Sequence, residues 1–205
     1  MGLRLLLCLP PLFWAAWAWG QDYGQFFLPL YRVVLDLALP DFGVLSLEIG
    51  HAQELVFKTQ VIAERMIVVQ GRALPAGLTV DSHTPLFTVL IHPIVLCAAA
   101  LAWPGLAPPH RLLRLGLSLP FLVVLECLDT PLVFASSIHD LLSYSLNPAA
   151  DQASRLIDWV RVLDGGGRFA LCVAAAFAAA GLQGLVVGRL SHSAHASPRA
   201  RALKP

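Results

Sequence analysis

The chain has 205 residues, of which 57% are hydrophobic and 13% charged, and its formal net charge at pH 7 is +1. Soluble domains average about 25% charged residues, so the composition excludes an ordinary water-soluble domain. A net charge near zero without a basic stripe argues against nucleic-acid binding. Four cysteines without CxxC spacing argue against a zinc site or a disulfide framework. We therefore expect one domain whose solvent is mostly lipid, with no metal and no cofactor.

Acidic and basic residues are distributed differently among the segments that flank four apolar runs. Three segments carry arginine or lysine but no acid, and the acids fall in the alternate gaps or, as Glu126 and Asp129, inside one run. Basic residues beside membrane helices are retained on the cytoplasmic side. The sequence therefore predicts an α-helical integral membrane protein with four transmembrane helices, both termini being cytoplasmic.

The first apolar run predicts transmembrane helix 1 over residues 1–20. Tryptophan favours the headgroup level, and three tryptophans mark the outer end of this run: Trp14, Trp17 and Trp19. The run is short, and a small-residue pattern around Trp17 also fits a signal peptide, so cleavage is an open alternative.

The segment 21–84 is predicted to lie outside the membrane. Residues 26–39 predict an amphipathic helix that either extends the first span or lies flat at the interface, with Phe27, Leu30, Val34 and Leu37 on one face. At Leu45 the apolar period changes to two, and the following runs up to Asp81 are rich in β-branched residues, which together predict an antiparallel meander of three or four strands. This β insert is too small to be stable alone. It either offers an edge strand to a partner or plugs the space between two spans.

The rest of the chain is predicted to cross the membrane three more times. The middle span is expected to kink near its prolines, and the extracytoplasmic segment after it to carry an interfacial helix over 151–164, anchored by Trp159. In chain order the predicted segments are span 85–103, cytoplasmic loop 104–111, span 112–135, extracytoplasmic segment 136–167, span 168–188 and a basic, disordered cytoplasmic tail 189–205.

Glu126 and Asp129 are the sharpest functional candidates in the sequence. They are three residues apart, so they share a helix face, and a carboxylate inside a membrane helix is a functional hypothesis by default. Together they would form a proton site or bind a cation. The alternative is that the third span ends near Leu128, which would leave both carboxylates at the outer headgroup level.

Other reactive side chains predict no catalytic or metal site. Ser136 and His139 are neighbours in sequence without a strained nucleophile elbow, and helix capping explains them as well. A membrane hydrolase that uses His139 is a remote alternative. Three further histidines near the outer segment lack the spacing of metal ligands: His51, His83 and His92.

The order of these segments resembles the small membrane proteins associated with bacterial exosortases, and most of all those that accompany the exosortase type lettered H. The resemblance rests on layout: a short tryptophan-rich span, a β insert that begins at Leu39-Pro40-Asp41, a proline-led span, an arginine-bearing turn and an interfacial helix. It covers roughly residues 3–188. It implies an inner-membrane partner of a polytopic cysteine transpeptidase that processes proteins with a sorting signal, and it carries over no catalytic residue.

The sequence thus predicts a non-enzymatic accessory subunit or assembly factor of a protein-sorting system in the bacterial inner membrane. Its expected partners are the lipid bilayer and a polytopic membrane protein such as an exosortase. The competing hypothesis is a small transporter or proton-coupled membrane protein that works through Glu126 and Asp129.

Overall fold

The structure, a computed structural model, describes residues 2–51, 53–69, 72–104, 106–146 and 154–196. It is 72% helical with a small antiparallel sheet, in agreement with the predicted class. The elements are α1 (Gly2–Ala38), β1 (Phe42–His51), β2 (Leu55–Ala63), β3 (Ile67–Val69), β4 (Arg72–Leu74), β5 (Thr79–Pro85), α2 (Leu86–Ala102), α3 (Pro108–Leu128), α4 (Thr130–Leu146), α5 (Arg155–Val162) and α6 (Arg168–Ala196), with a wide turn at Leu163–Gly167 between the last two.

Three helical stretches of the described chain are long and apolar enough to cross a membrane: Leu3–Ala38, Pro108–Leu146 and Arg155–Val187. The prediction of a membrane protein agrees with this result. The predicted second span corresponds to α2, which is apolar but has 17 residues. A helix of that length is about 25 Å long, a little less than a hydrocarbon core of about 30 Å.

Helix α1 is continuous, although the sequence predicted a short span and a separate amphipathic helix. It has 37 residues with three internal prolines, a length of about 55 Å. Its buried stripe consists of Phe27, Tyr31 and Leu35 at i, i+4 spacing, whereas Leu37, which was predicted on the inner face, is 77% exposed. The polar hydroxyl of Tyr31 concealed the true stripe in the sequence pattern.

The β insert forms two sheets where one meander was predicted. Strands β1, β2 and β5 form an antiparallel sheet in the order β1-β2-β5, and β3 pairs with β4 in a separate hairpin. The hairpin is inserted between β2 and β5, so β5 returns beside β2. A turn with Gly77 at φ 87°, a conformation that glycine adopts without strain, leads into β5.

Two hydrophobic cores lie on either side of one polar region. The first core packs the C-terminal half of α1 against the inner face of the sheet and α4, around Tyr31, Phe57 and Phe134. The second joins α2, α3 and α6 through Leu96, Leu125 and small residues of α6. We call them the sheet core and the helix core.

The predicted third span, 112–135, is two helices in the structure. Helix α3 begins at Pro108 and ends at Leu128, and Asp129 leaves the helical conformation with φ −106° and ψ −85°. Pro131 lies in the first turn of α4, where its missing N–H costs nothing. Helix α4 then packs on the sheet core, so the predicted kink is a break that redirects the chain.

The last helices also differ from their predicted bounds. The amphipathic helix predicted over 151–164 is α5, which begins at Arg155; residues 151–153 lie outside the described part of the chain. Helix α6 continues to Ala196, past the predicted start of the tail at 189, and residues 197–205 lie outside the described part.

Candidate functional site: a buried charged cluster

Glu126 and Asp129 are buried in protein at the break between α3 and α4. Glu126 is 0% exposed and Asp129 is 3% exposed. Helix α3 does end at Leu128, as one alternative held. The carboxylates nevertheless do not face solvent, because α1, α2 and α6 surround them with polar side chains.

Two tyrosines of α1 hold the carboxylate of Glu126. The Tyr23 hydroxyl donates to Oε1 at 2.6 Å, and the fully buried Tyr31 hydroxyl donates to Oε2. The two tyrosines are eight residues apart, about two helical turns, so they approach the carboxylate from either side along α1. The long first helix is therefore fixed to α3 by both oxygens of one side chain.

His92 of α2 bridges the two carboxylates. Its Nδ1 lies 3.2 Å from Glu126 Oε1 and its Nε2 lies 3.1 Å from Asp129 Oδ2. The side chain is 1% exposed, whereas His51 and His83 are exposed on the sheet. Sequence reasoning grouped the three histidines together and missed this role; a lone histidine inside an apolar helix was the available signal.

Arg168, at the start of α6, completes the cluster and connects it to the surface. Its Nε donates to Asp129 Oδ2 at 2.7 Å, and an Nη donates to Asp164 Oδ1 at 2.5 Å. The Arg168 side chain is 10% exposed and that of Asp164 is 63% exposed. The sequence treated Arg168 only as the boundary of the last span. We call Glu126, Asp129, His92 and Arg168 the charged cluster.

The turn between α5 and α6 positions Arg168. Gly166 has φ 105°, which favours glycine and marks a kink between α5 and α6. The Trp159 indole donates to the Leu128 carbonyl at 2.8 Å, a carbonyl at the end of α3 that has no intrahelical partner. Trp159, predicted to be a membrane anchor, thus fastens α5 to the helix break beside Asp129.

The chemistry available to the cluster is proton binding and ion pairing. In the described part of the chain no group of three or more His, Cys, Asp and Glu side chains has an arrangement that could hold a metal ion. Asp129 Oδ1 is buried and has no hydrogen-bond partner among the described residues. The remaining carboxylate oxygens of the cluster accept from the tyrosine and arginine side chains, and two of them lie within hydrogen-bond distance of the His92 ring nitrogens.

A second polar contact lies at the opposite end of the helix core. Arg114 of α3 is 6% exposed and donates through Nε to Gln183 Oε1 at 2.8 Å. Its guanidinium lies 4.4 Å from the centre of the Trp103 ring, a favourable cation–π arrangement. The sequence expected Arg111 in a cytoplasmic loop and Arg114 beside it; both lie on α3, which begins at Pro108.

The outer face of the sheet forms an open polar groove of about 410 Å³. Rows of paired residues cross the three strands, and one row consists of Glu48, Lys58 and His83. The neighbouring row contains Ser46, Gln60 and Asp81. The groove therefore contains hydrogen-bond donors and acceptors as well as acidic and basic side chains, whereas the inner face of the sheet is apolar.

Comparison with known proteins identifies no relative. No family model, no curated protein and no solved structure matches the chain.

Proposed function

We propose that the protein is a non-enzymatic accessory subunit of a protein-processing or protein-sorting system in the bacterial inner membrane. In this proposal α1, α2, α3 and α6 are four spans, both termini are cytoplasmic, and the sheet lies on the outer side. The partner is a polytopic membrane protein, such as the exosortase that the segment order suggests. Its binding surface is the free edge of β1 together with the adjoining polar groove.

The edge of β1 is the observation that carries this proposal. In the described sheets β1 and β5 each pair with β2 alone; β1 also contacts α1 and β5 contacts α4, and β1 is the longer of the two edge strands. Strand β1 has 10 residues. An edge strand presents unpaired backbone groups in a row, to which an extended peptide can add as a further strand.

Local features restrict where another strand can add to β1. The bulge between Val44 and Ser46 interrupts the register, and Arg32 donates to the Val44 carbonyl at 2.9 Å. Bulges and covering side chains protect sheet edges against unselective pairing. The stretch from Ser46 to His51 remains for a partner, beside the groove that would receive its side chains.

The position of the two cores supports the proposed placement in the membrane. Helix α1 is about 25 Å longer than a bilayer core of about 30 Å, and the sheet packs on its C-terminal half. Trp14 and Trp17, on the other half, are 60% and 84% exposed, as expected of side chains that contact lipid and headgroups. The basic residues of α3 and of the tail would then face the cytoplasm.

Photo-cross-linking in native membranes tests the proposal. A photoreactive amino acid replaces Leu45, which is 50% exposed at the bulge of β1. We expect one discrete adduct with a polytopic membrane protein, identified by mass spectrometry, because position 45 directly precedes the 46–51 stretch at which a strand would add. The matched control replaces Val68, which is 68% exposed on the separate hairpin.

Comparison of the adducts at positions 45 and 68 distinguishes a sheet that binds a partner at β1 from a sheet that only fills space between the spans. Equal adducts at 45 and 68, or adducts with lipid alone, would overturn the assignment of β1 as the docking edge. In that case the sheet would serve to fill the space above the spans.

A proton-coupled protein is the second proposal, and the buried charged cluster is the observation that favours it. The wild-type protein and the Glu126→Gln/Asp129→Asn variant are reconstituted in liposomes that contain a pH-sensitive dye. Under an imposed membrane potential, a protein that conducts protons through Glu126 and Asp129 acidifies the lumen and the variant does not. An accessory subunit gives the same background flux in both samples, which would refute proton conduction through these two carboxylates.

A further inference from the structure

Hydrogen-bond counting in the charged cluster constrains where its protons lie. A tyrosine hydroxyl has one proton to donate, and Tyr23 and Tyr31 donate theirs to the two oxygens of Glu126. Arg168 donates to Asp129 Oδ2. Three of the four carboxylate oxygens are therefore placed as acceptors. The fourth, Asp129 Oδ1, has no partner among the described residues, so a proton on it would have no acceptor, and the ionised form of both carboxylates fits the contacts best.

His92 then faces an acceptor at each ring nitrogen. A neutral imidazole carries one N–H and one lone pair, and a lone pair directed at a carboxylate oxygen is repelled. Distances of 3.2 Å from Nδ1 to Glu126 and 3.1 Å from Nε2 to Asp129 are hydrogen-bond distances. Both contacts can be hydrogen bonds at the same time only when His92 carries a proton on each ring nitrogen.

Charge balance leads to the same assignment. Two buried carboxylates carry two negative charges and Arg168 carries one positive charge, so the cluster without a further proton has a net charge of −1. An uncompensated buried charge is strongly unfavourable. A proton on His92 brings the count of Glu126, Asp129, His92 and Arg168 to zero.

We propose that the charged cluster is a binding site for one proton, carried by His92 as an imidazolium that joins α2 to α3 and to the helix break at Asp129. The inference is independent of the partner-binding role, and it does not require that a proton cross the membrane. Arg168 separates the site from Asp164 at the surface, and a guanidinium, which does not lose its proton in proteins, cannot relay one. The proton serves to balance charge in the polar region between the sheet core and the helix core.

In the part of the chain that the structure describes, the other ionisable side chains around the site come from α1, α2, α3, α6 and the turn before α6. They are Tyr23 and Tyr31 from α1, Cys97 from α2, Cys127 from α3, Cys172 from α6, and Asp164 from the turn before α6. All of these are acids, so His92 and Arg168 are the bases that counter the two carboxylates.

A cycle of two neutral substitutions tests this charge count. His92→Gln removes the proton site and leaves a net charge of −1, so we expect the apparent melting temperature in detergent to fall by on the order of 10 °C. Glu126→Gln alone should cost less, because His92 can release its proton and restore balance. The double variant His92→Gln/Glu126→Gln is neutral, and we expect it to melt several degrees above His92→Gln alone.

The same cycle at the exposed row of the sheet is the matched control. His83→Gln and Glu48→Gln face solvent, so the combination should show no rescue. A double variant at the cluster that is no more stable than His92→Gln would overturn the proposal, because hydrogen-bond losses without a charge imbalance accumulate.

Nitrogen NMR of the wild-type protein provides a measurement that does not depend on the stability of a variant. With histidine labelled at both ring nitrogens, we expect one of the seven histidines to show two protonated nitrogens in membranes at a pH where exposed histidines are neutral. The absence of such a histidine would equally overturn the proposal.

Discussion

We expect Arg168→Met to lower the free energy of unfolding by about 3–5 kcal/mol, the usual cost of removing one partner from a buried ion pair. Arg168 contacts Asp129 through Nε and Asp164 through an Nη. Methionine retains most of the apolar stem but leaves the buried Asp129 with His92 alone. Equilibrium unfolding in mixed micelles with increasing denaturing detergent measures the change.

Two further variants separate charge from packing at this position. Arg161→Met is the matched control, because Arg161 is 67% exposed and pairs with an exposed Asp158; such pairs contribute about 1 kcal/mol or less. Arg168→Met/Asp129→Asn removes the unpaired charge, so it should recover a large part of the loss. If the double variant is as unstable as Arg168→Met, the arginine acts by packing and the charge argument at Asp129 fails.

The positions of the helices were largely predictable, because apolar runs and sorted charges are local features of the sequence. The helical class follows from composition, and the break at residue 129 lies close to the kink expected from Pro131. What periodicity could not give is the direction of the chain after the break. Helix α4 packs on the sheet core through Phe134 and Ile138, and such long-range contacts leave no local pattern.

The charged cluster was half predicted, and the missing half has a physical reason. Two acids inside an apolar run are conspicuous, because a buried carboxylate is costly and needs partners. The partners are separated from Glu126 along the chain by 34 residues at His92 and by 95 at Tyr31. A single histidine or tyrosine in an apolar helix resembles an ordinary core residue until the fold brings it to the carboxylate.

The sheet was also predictable in its local features and not in its long-range contacts. Alternation over 45–50 predicted the first strand and β-branched residues over 54–61 the second. In β2 the side chains of Phe57, Thr59 and Val61 are buried at alternate positions, whereas Leu45, at the bulge of β1, is 50% exposed. The pairing of β5 with β2, around an inserted hairpin, depends on which apolar face of the sheet packs against α1. Strand order is therefore set by the sheet core and not by the turns alone.

Phe57→Ala is the second substitution for which we expect a large effect, a loss of about 3–5 kcal/mol. Phe57 is 0% exposed, and its ring lies edge-on to Tyr31 with 5.7 Å between the ring centres. It also approaches α1 so closely that a Cβ added to Gly24 would lie 2.8 Å from Phe57 Cζ. Truncation therefore opens a cavity between the sheet and α1 that rigid helix backbone cannot fill.

The consequence of Phe57→Ala extends from the sheet to the charged cluster. Tyr31, which packs on Phe57, donates to Glu126, so a loosened ring should weaken the hold of α1 on α3 as well. Proteolysis of the 42–85 segment should accelerate, and the adduct at position 45 should decrease, because the docking edge is no longer held in place. Phe87→Ala, at a 61% exposed position, is the control and should change neither measurement. Normal proteolysis together with a retained adduct in Phe57→Ala would mean that the sheet folds independently of α1, which its small buried area argues against.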